Sequence, residues 1–249
     1  MNGILLIDKP KGWTSFDAVN KARRIVQVSP LNTSNKKRFP VGHTGTLDPL
    51  ATGLLVLLLG KYTKYAPALT KLDKTYKVTM KLGQTSTTGD EEGEKLFVSD
   101  TQPAKDEVYN VLATFVGESM QVPPAFSAVK INGQRAYKLA REGKAPELAA
   151  RPVKIACLVI HDYSYPLVSF TVHVSSGTYI RSLVEDAGKK LGCGAYMSDL
   201  RRTQVGPFEI AEALQMEGLT AEDIQVALQE IPSSLQPVAE ADKGADHPQ

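Results

Sequence analysis

The chain has 249 residues, of which 42% are hydrophobic and 22% charged, and this is the composition of an ordinary globular protein. Its two cysteines, Cys157 and Cys193, lack CxxC spacing, which argues against a disulfide framework or a structural zinc site. The longest apolar run, Leu54 to Leu59, is too short to cross a bilayer, and the first residues lack a signal-peptide pattern. The sequence therefore predicts a soluble, cytoplasmic protein with no membrane partner.

Hydrophobic periodicity predicts the elements of the first half of the chain. Thr14 or Ser15 is placed to cap a helix. Leu54–Leu59 is continuously apolar, as expected of a strand covered on both faces, whereas residues 75–82 alternate as in a half-exposed strand. The remaining elements are a strand at 3–7, a helix with apolar positions Phe16, Val19, Ala22, Ile25 and Val26, and a helix marked by Val108, Val111, Leu112 and Phe115.

The second half begins with an irregular, basic segment at residues 121–150, which is interpreted as an excursion from the core. Strands and helices then follow without a regular βαβ alternation, so the sequence predicts the α+β class. The later elements are strands at 153–160 and 168–174, a helix closed by Gly192, and a helix from the capping pair Thr220 and Asp223 through Ile231.

The net charge of +2 conceals an uneven distribution. Residues 209–249 hold nine acidic residues and one lysine, so residues 1–208 carry a net charge of +10. Basic residues concentrate at 18–47, with six Lys/Arg and no acid, and at 130–154, with seven against two acids. This pattern indicates a polyanionic partner such as nucleic acid, and two ordinary solvated basic faces explain it equally well.

Residues 42–53 (GHTGTLDPLATG) place one carboxylate, Asp48, in a loop rich in Gly just before the buried strand. The loop lacks the GxxxxGK[ST] spacing of a phosphate loop. His43 and Asp48 have no further metal ligand nearby, so no metal is expected. A paired-carboxylate hydrolase needs a second acid, for which Asp90 is the only loop candidate. Two interpretations remain: a turn cap followed by Pro49, or a reactive carboxylate held rigidly.

A second candidate segment, residues 177–181 (GTYIR), lies between a predicted strand and a predicted helix. It presents the aromatic ring of Tyr179 and the guanidinium of Arg181 at a helix N-terminus, where anions are favoured. An aspartate, a tyrosine and an arginine on separate rigid elements suit a single site, although spacing alone does not bring them together.

Five blocks together resemble the bacterial tRNA pseudouridine-55 synthase family, TruB. They are DKPKGWTS (8–15), GHTGTLDPLATGLL (42–55), DKTY (73–76), SGTYIR (176–181), and LGCGA with LRRT (191–203). The resemblance covers residues 3–208 and implies a pseudouridine synthase fold, with a mixed, mostly antiparallel sheet flanked by helices and a central RNA-binding cleft. It also implies isomerisation of uridine-55 in the TΨC arm of tRNA, with no cofactor, no metal and no obligatory protein partner. A monomer is the default expectation for an enzyme of this size.

The resemblance assigns roles to particular residues. Asp48 is expected to be the nucleophile, and attack at uracil C6 and at ribose C1′ both remain open. Tyr76 is expected to stack on the target base and to assist its proton transfer, while Arg181 pairs with Asp48. The expected substrate contacts are His43 at the splayed RNA loop, Tyr179, Leu200 and Asp90 in the base pocket, and Lys130, Arg135, Lys138 and Arg141 at phosphates.

The resemblance also suggests a domain organisation. Residues 1–208 are expected to form the catalytic domain, with 121–150 as an RNA-gripping insertion. Residues 209–249 are expected to form an acidic helix and tail in place of the family's usual PUA domain, and the loop at 29–40 is longer than expected. The alternatives are an RNA-folding chaperone on the same scaffold, a hydrolase that uses Asp48, and a relative of the guide-RNA-dependent synthases.

Overall fold

The computed structural model is an α+β fold with a ten-stranded sheet, as the sequence predicts. It describes the chain except for residues 31, 33–36, 128, 132, 137–138, 140–141, 143, 145–147 and 236–249. The strands are β1 (Gly3–Lys9), β2 (Val41–His43), β3 (Thr52–Leu59), β4 (Lys74–Leu82), β5 (Gln84–Ser86), β6 (Lys95–Phe97), β7 (Gly117–Gln121), β8 (Lys130–Ile131), β9 (Gln134–Arg135), β10 (Arg151–Ser164), β11 (Leu167–Val174), β12 (Ala195–Val205), β13 (Phe208–Glu209) and β14 (Leu214–Gln215).

The helices connect or follow these strands, and two of them begin at a capping side chain that the sequence predicts. Thr14 and Thr220 each complete a capping box, with Asp17 and Asp223 respectively, as the residue types at these positions favour. The α-helices are α1 (Ser15–Val28), α2 (Ala66–Leu69), α3 (Lys105–Ala113), α4 (Ile180–Lys190) and α5 (Ala221–Ala227). Short 3₁₀ segments cover Gly60–Tyr65, Ile210–Glu212 and Ser233–Leu235.

The main sheet is mixed and mostly antiparallel. Its strand order is β14-β1-β3-β12-β4-β11-β10-β7, with β13 paired to β12 and β2 paired to β3. Two pairs are parallel, β1 with β14 and β3 with β12, and the others are antiparallel. The late strand β12 therefore lies between two early strands and joins the two halves of the molecule.

The central strand β3 is covered on both faces, as its continuous apolar run predicts. One face packs with β1 beneath α1, and the opposite face packs against Leu69 of α2 and Val205 of β12. The buried β3 residues toward α1 are Leu55, Leu57 and Leu59, and those on the opposite face are Leu54, Val56 and Leu58.

The strand β4 is buried on one face only, which confirms its alternating pattern. Val78, Met80 and Leu82 are buried, whereas Lys77 is exposed. The buried face of β4 packs with β11 and β12 against α3 and α4 and forms the larger core. The candidate site lies at the end of this core where β4 begins.

Two details of the predicted helices are wrong. Phe16 is 58% exposed, because α1 starts after Thr14 and its inward face runs from Ser15 through Val19 and Ala22. Helix α5 ends at Ala227 rather than Ile231. Beyond it the backbone is extended, and Gln229 exchanges two backbone hydrogen bonds with Ile4 of β1 (2.8 and 2.9 Å), which a longer helix would forgo.

The chain after residue 208 packs onto the sheet as far as it is described. Strand β14 pairs with β1, and Met216, Ile224 and Ile231 are buried. No helix within the described ranges is both long enough and apolar enough to span a membrane. In the segment at 121–150, β8 and β9 form a separate two-stranded sheet, while Lys138 and Arg141 lie outside the described residues.

Candidate active site

The loop that carries Asp48 is tied to the segment that joins β1 to α1. The Leu47 N–H donates to Oγ of Ser15 (2.8 Å), and this hydroxyl donates to the Leu47 carbonyl (3.1 Å). The Gly12 N–H donates to the Pro49 carbonyl (2.8 Å). Because these bonds involve the residues immediately before and after Asp48, they hold the backbone of Asp48 in place.

Lys9 adds a buried cation to this support. Its ammonium donates to the carbonyl oxygens of Pro10 (3.0 Å), Trp13 (2.7 Å) and Pro49 (3.5 Å). Burial lowers the pKa of Lys9 to about 8, and the negative charge of Asp48 acts in the opposite direction. Lys9 is therefore a positioning residue that joins the end of β1 to the Asp48 loop.

Gly53 ends the loop and allows two strands to approach closely. Its φ is +100°, and a Cβ at this position would clash with the backbone carbonyl of Arg202, its register partner in β12. Only glycine meets both requirements. The final glycine of GHTGTLDPLATG therefore places β12 directly beside the Asp48 loop.

A cavity of about 310 Å³ lies between the Asp48 loop, β4, β12 and the start of α4. Five residues that the sequence singled out line it, namely Asp48, Tyr76, Tyr179, Arg181 and Leu200. Phe126 and Ser127, from the segment at 121–150, line it as well. The structure thus brings together residues that are far apart in the sequence.

Arg181 binds two carboxylates at once. Its Nη2 lies 3.1 Å from Oδ2 of Asp48, and its Nη1 lies 3.3 Å from Oδ2 of Asp90. The same two nitrogens donate to the carbonyls of Phe126 (2.8 Å) and Thr88 (3.1 Å). The Arg181 side chain is 8% exposed and that of Asp48 is 42% exposed. The guanidinium is therefore fixed by the protein, and Asp48 is open to a ligand.

Asp90 lies behind Arg181 rather than in the cavity lining. Its side chain is 4% exposed, and its Oδ1 accepts hydrogen bonds from the Thr88 hydroxyl (2.5 Å) and the Glu92 N–H (3.1 Å). A second carboxylate in this position supports the arginine from the far side. It does not face Asp48 across the cavity, as a paired-carboxylate hydrolase requires.

The remaining predicted pocket residues form the walls of the cavity. Tyr76 and Leu200 are buried on the adjacent strands β4 and β12 and line the cavity from the sheet. Tyr179 precedes α4, and its backbone N–H and carbonyl are both bound by the side-chain amide of Gln121, at 2.8 and 3.0 Å. The last residue of β7 therefore anchors the α4 side of the cavity.

His43 lies on β2, outside the cavity lining. Its Nδ1 accepts a hydrogen bond from the Gly45 N–H (3.2 Å). Burial lowers the pKa of His43, and the cation of Arg202 lowers it further, so the neutral ring is favoured at pH 7. Across the described residues, no three His, Cys, Asp or Glu side chains come together as metal ligands.

The cavity is also lined by two cations that the sequence analysis did not single out. Lys74 is 7% exposed and Arg202 is 2% exposed, and both are in the cavity lining. Their positions relative to Tyr76 could have indicated them: Lys74 lies on the same face of β4 as Tyr76, and Arg202 is the register partner of Tyr76 in β12.

The four predicted phosphate contacts are not placed by this structure. Lys130 and Arg135 belong to β8 and β9, for which only the backbone is described. Lys138 and Arg141 lie outside the described residues. Their roles remain predictions.

Ser127 has an unusual hydroxyl. It is 4% exposed, and its Oγ has no hydrogen-bond partner within the described part of the chain. Because an unpaired buried hydroxyl is unfavourable, we expect Ser127→Ala to leave the free energy of unfolding unchanged or to raise it by about 1 kcal/mol in chemical denaturation. Ser15→Ala is the control, since it removes a hydroxyl with two bonds to Leu47 and should cost about 1–3 kcal/mol. Equal losses in both variants would contradict this expectation.

Solved structures share this fold. A crystal structure of a Cbf5-Nop10-Gar1 complex matches with a TM-score of 0.69 and 29% identity, over 92% of this chain and 60% of that chain. A structure of an H/ACA RNP bound to a substrate RNA containing 2'-deoxyuridine matches with a TM-score of 0.63 and 28% identity, over 87% of this chain and 52% of that chain. This chain therefore spans between half and two thirds of the length of these structural relatives.

Two family models, both of pseudouridylate synthases, match the sequence. One is described as the TruB family pseudouridylate synthase N-terminal domain (residues 32–180), and the other as the tRNA pseudouridylate synthase B C-terminal domain (residues 181–241). The tRNA pseudouridine synthase B of Burkholderia pseudomallei (strain 668) is 46% identical over 221 residues, which are 89% of this chain and 70% of that protein. The corresponding protein of Pseudomonas aeruginosa (strain UCBPP-PA14) is 44% identical over 219 residues, which are 88% of this chain and 69% of that protein. The chain belongs to the TruB family.

Proposed function

We propose that this protein isomerises uridine-55 in the TΨC arm of tRNA to pseudouridine, with Asp48 as the nucleophile. The observation that carries the proposal is the cavity in which a half-exposed Asp48 carboxylate lies 3.1 Å from a fixed Arg181, between walls that include Tyr76 and Leu200. A carboxylate at the mouth of a partly apolar cavity suits attack on a base or sugar carbon. The names of the bacterial relatives support tRNA as the substrate.

The proposed reaction is balanced without an oxidant or a second substrate. Asp48 bonds either to C1′ of the ribose, releasing the uracil, or to C6 of the uracil. In both courses the N1–C1′ bond breaks, the C5–C1′ bond forms and Asp48 is released again. The hydrogen on C5 leaves as a proton, and N1 gains one. Substrate and product therefore have the same mass.

The chain's own residues position the reacting groups. Arg181 aims the Asp48 carboxylate and balances its charge, while Asp90 holds the far side of the guanidinium. Tyr76 offers an aromatic face to the base and a hydroxyl suited to moving the C5 proton. A base in a folded RNA loop must first leave its stack, and we propose that His43 occupies the space it vacates.

The grip on the rest of the RNA is assigned to the segment at 121–150, within a catalytic domain that we place at residues 1–208. Its basic residues Lys130, Arg135, Lys138 and Arg141 are proposed to contact phosphates. We further propose that the protein acts in the cytoplasm as a monomer, without an obligatory protein partner.

Tritium release tests this function. The purified protein alone is given a tRNA transcript with tritium at uridine C5, because C5 must lose its hydrogen when it becomes the glycosidic carbon. We expect release from this transcript and none from one with cytidine at position 55. Release that persists with cytidine-55 would move the target to another uridine.

Three other outcomes point to other functions. Free uracil or a cleaved strand would indicate a hydrolase that uses Asp48. A folded protein that binds tRNA without releasing tritium would indicate an RNA-folding chaperone. Activity that requires an added guide RNA or protein would place this chain with the guide-RNA-dependent synthases.

A further inference from the structure

Two buried cations lie side by side at one end of the candidate active site. Lys74 and Arg202 both line the cavity, together with Gly45, Thr46 and Thr70. In the described parts of the chain, neither cation has a carboxylate within 4.0 Å. Buried charges in proteins are ordinarily paired, so two adjacent cations without a counter-ion indicate that a ligand supplies the negative charge.

The hydrogen bonds of both side chains leave donors available. The Lys74 ammonium donates to the carbonyls of Thr70 (2.8 Å) and Leu72 (2.5 Å), which accounts for two of its three hydrogens. Arg202 donates from Nε to the Leu54 carbonyl (2.7 Å) and from Nη2 to the Gly45 carbonyl (3.0 Å). Its Nη1 has no hydrogen bond within the described residues. The two cations are thus held in place by backbone, each with a donor to spare.

Gly45 keeps the space between these donors open. A Cβ on Gly45 would lie 3.5 Å from Nη1 of Arg202 and 3.6 Å from Cε of Lys74. A side chain at this position would therefore project between the two cations. The absence of a side chain leaves room there for a small anionic group.

We propose that Lys74 and Arg202 bind a phosphate of the substrate RNA that is directly attached to the target nucleotide. Lys74 and Tyr76 lie two residues apart on the same face of β4, which separates them by about 6.5–7 Å. This distance is comparable to that between a base and the phosphate of its own nucleotide. A base against Tyr76 therefore brings its phosphate to Lys74. This inference rests on the proposed function, because it requires a nucleotide in the cavity.

The charges around Lys74 agree with an anion site. Burial and, to a lesser extent, the Arg202 cation lower the pKa of Lys74 to about 8, although Asp73 acts in the opposite direction. Asp73 is itself 3.8 Å from His173. A bound phosphate would favour the charged ammonium, so RNA affinity should fall as the pH rises through about 8. An arginine at position 74, which stays charged, should remove this dependence.

The test measures binding of a TΨC stem-loop RNA to the full chain carrying Asp48→Asn, which prevents turnover. Lys74→Gln is compared with Lys77→Gln, a matched control on the exposed face of the same strand. We expect Lys74→Gln to weaken binding about tenfold. We also expect it to reduce the slope of log affinity against log salt by about 0.7–0.9, the contribution of one phosphate. Lys77→Gln and Lys74→Arg should leave that slope unchanged.

A neutral methylphosphonate, placed in turn at each of the two phosphates that flank the target uridine, locates the contact. At one of these positions it should weaken binding when Lys74 is present and have no effect in the Lys74→Gln variant. Equal losses in both proteins, or unaltered binding by folded Lys74→Gln, would overturn the proposal. If Lys74→Gln does not fold, the Lys74→Arg variant and the methylphosphonate series test the proposal instead. The proposal is then overturned if neither methylphosphonate weakens binding.

Failure of the proposed function has a different appearance. It would be seen as no tritium release by the wild-type protein, or as no binding of the stem-loop by the Asp48→Asn protein. Normal tritium release with no effect at Lys74 would overturn the phosphate site alone.

Discussion

Asp48→Asn should reduce single-turnover tritium release by about 10³-fold or more while the affinity for the TΨC stem-loop stays within about threefold. Asparagine has nearly the same volume, but its amide is a poor nucleophile. Because the Asp48 side chain is 42% exposed, the loss of its charge should also leave the fold intact. Rapid-quench assays measure the chemical step, and filter binding measures the affinity.

A matched control separates the nucleophile from general electrostatics. Asp199 is an exposed carboxylate on β12, next to the cavity residue Leu200. Asp199→Asn should therefore release tritium at the wild-type rate. Comparable activity in both variants would show that Asp48 is not the nucleophile. If Asp48→Asn instead lost as much RNA affinity as turnover, Asp48 would be a binding residue.

Arg181→Met should lower the free energy of unfolding by about 3–5 kcal/mol and reduce tritium release to near background. The substitution removes the partner of Asp90, whose side chain is 4% exposed, and leaves that carboxylate buried without a counter-ion. It also removes the hydrogen bonds to the carbonyls of Thr88 and Phe126, and it removes the ion pair that orients the Asp48 carboxylate. Urea denaturation followed by circular dichroism measures the stability.

The double variant Arg181→Met/Asp90→Asn identifies the cause. If the unpaired Asp90 carboxylate accounts for the instability, neutralising it should restore much of the lost free energy while activity remains absent. If the double variant is as unstable as Arg181→Met alone, lost packing around the arginine explains the effect, and Asp90 is not the partner that matters.

Local patterns were sufficient for much of the fold. The apolar run of β3, the alternation of β4 and the capping boxes at Thr14 and Thr220 each depend on neighbours in the sequence, and the structure contains all of them. The family resemblance named Asp48 and Arg181, which lie together in the structure. Their proximity itself required the fold, because the two residues belong to different halves of the chain.

The sequence analysis did not single out the buried cations. Lysine and arginine are normally exposed, so residue type alone does not distinguish Lys9, Lys74 and Arg202 from surface charges. Arg202 is held by the backbone carbonyls of Leu54 and Gly45, which are distant from it in the sequence. Such bonds depend on the insertion of β12 beside β3, a pairing between strands that are remote in the sequence and that no hydrophobic period reveals.

The position of β12 has a consequence for how the protein is made. While the ribosome has completed only the first 194 residues, Asp48, Tyr76 and Arg181 already exist, but the sheet lacks the strand between β3 and β4. Pairing across so long a stretch of chain is a late event in folding. A nascent chain therefore lacks part of the candidate active site, which is complete only when β12 has emerged and paired between β3 and β4.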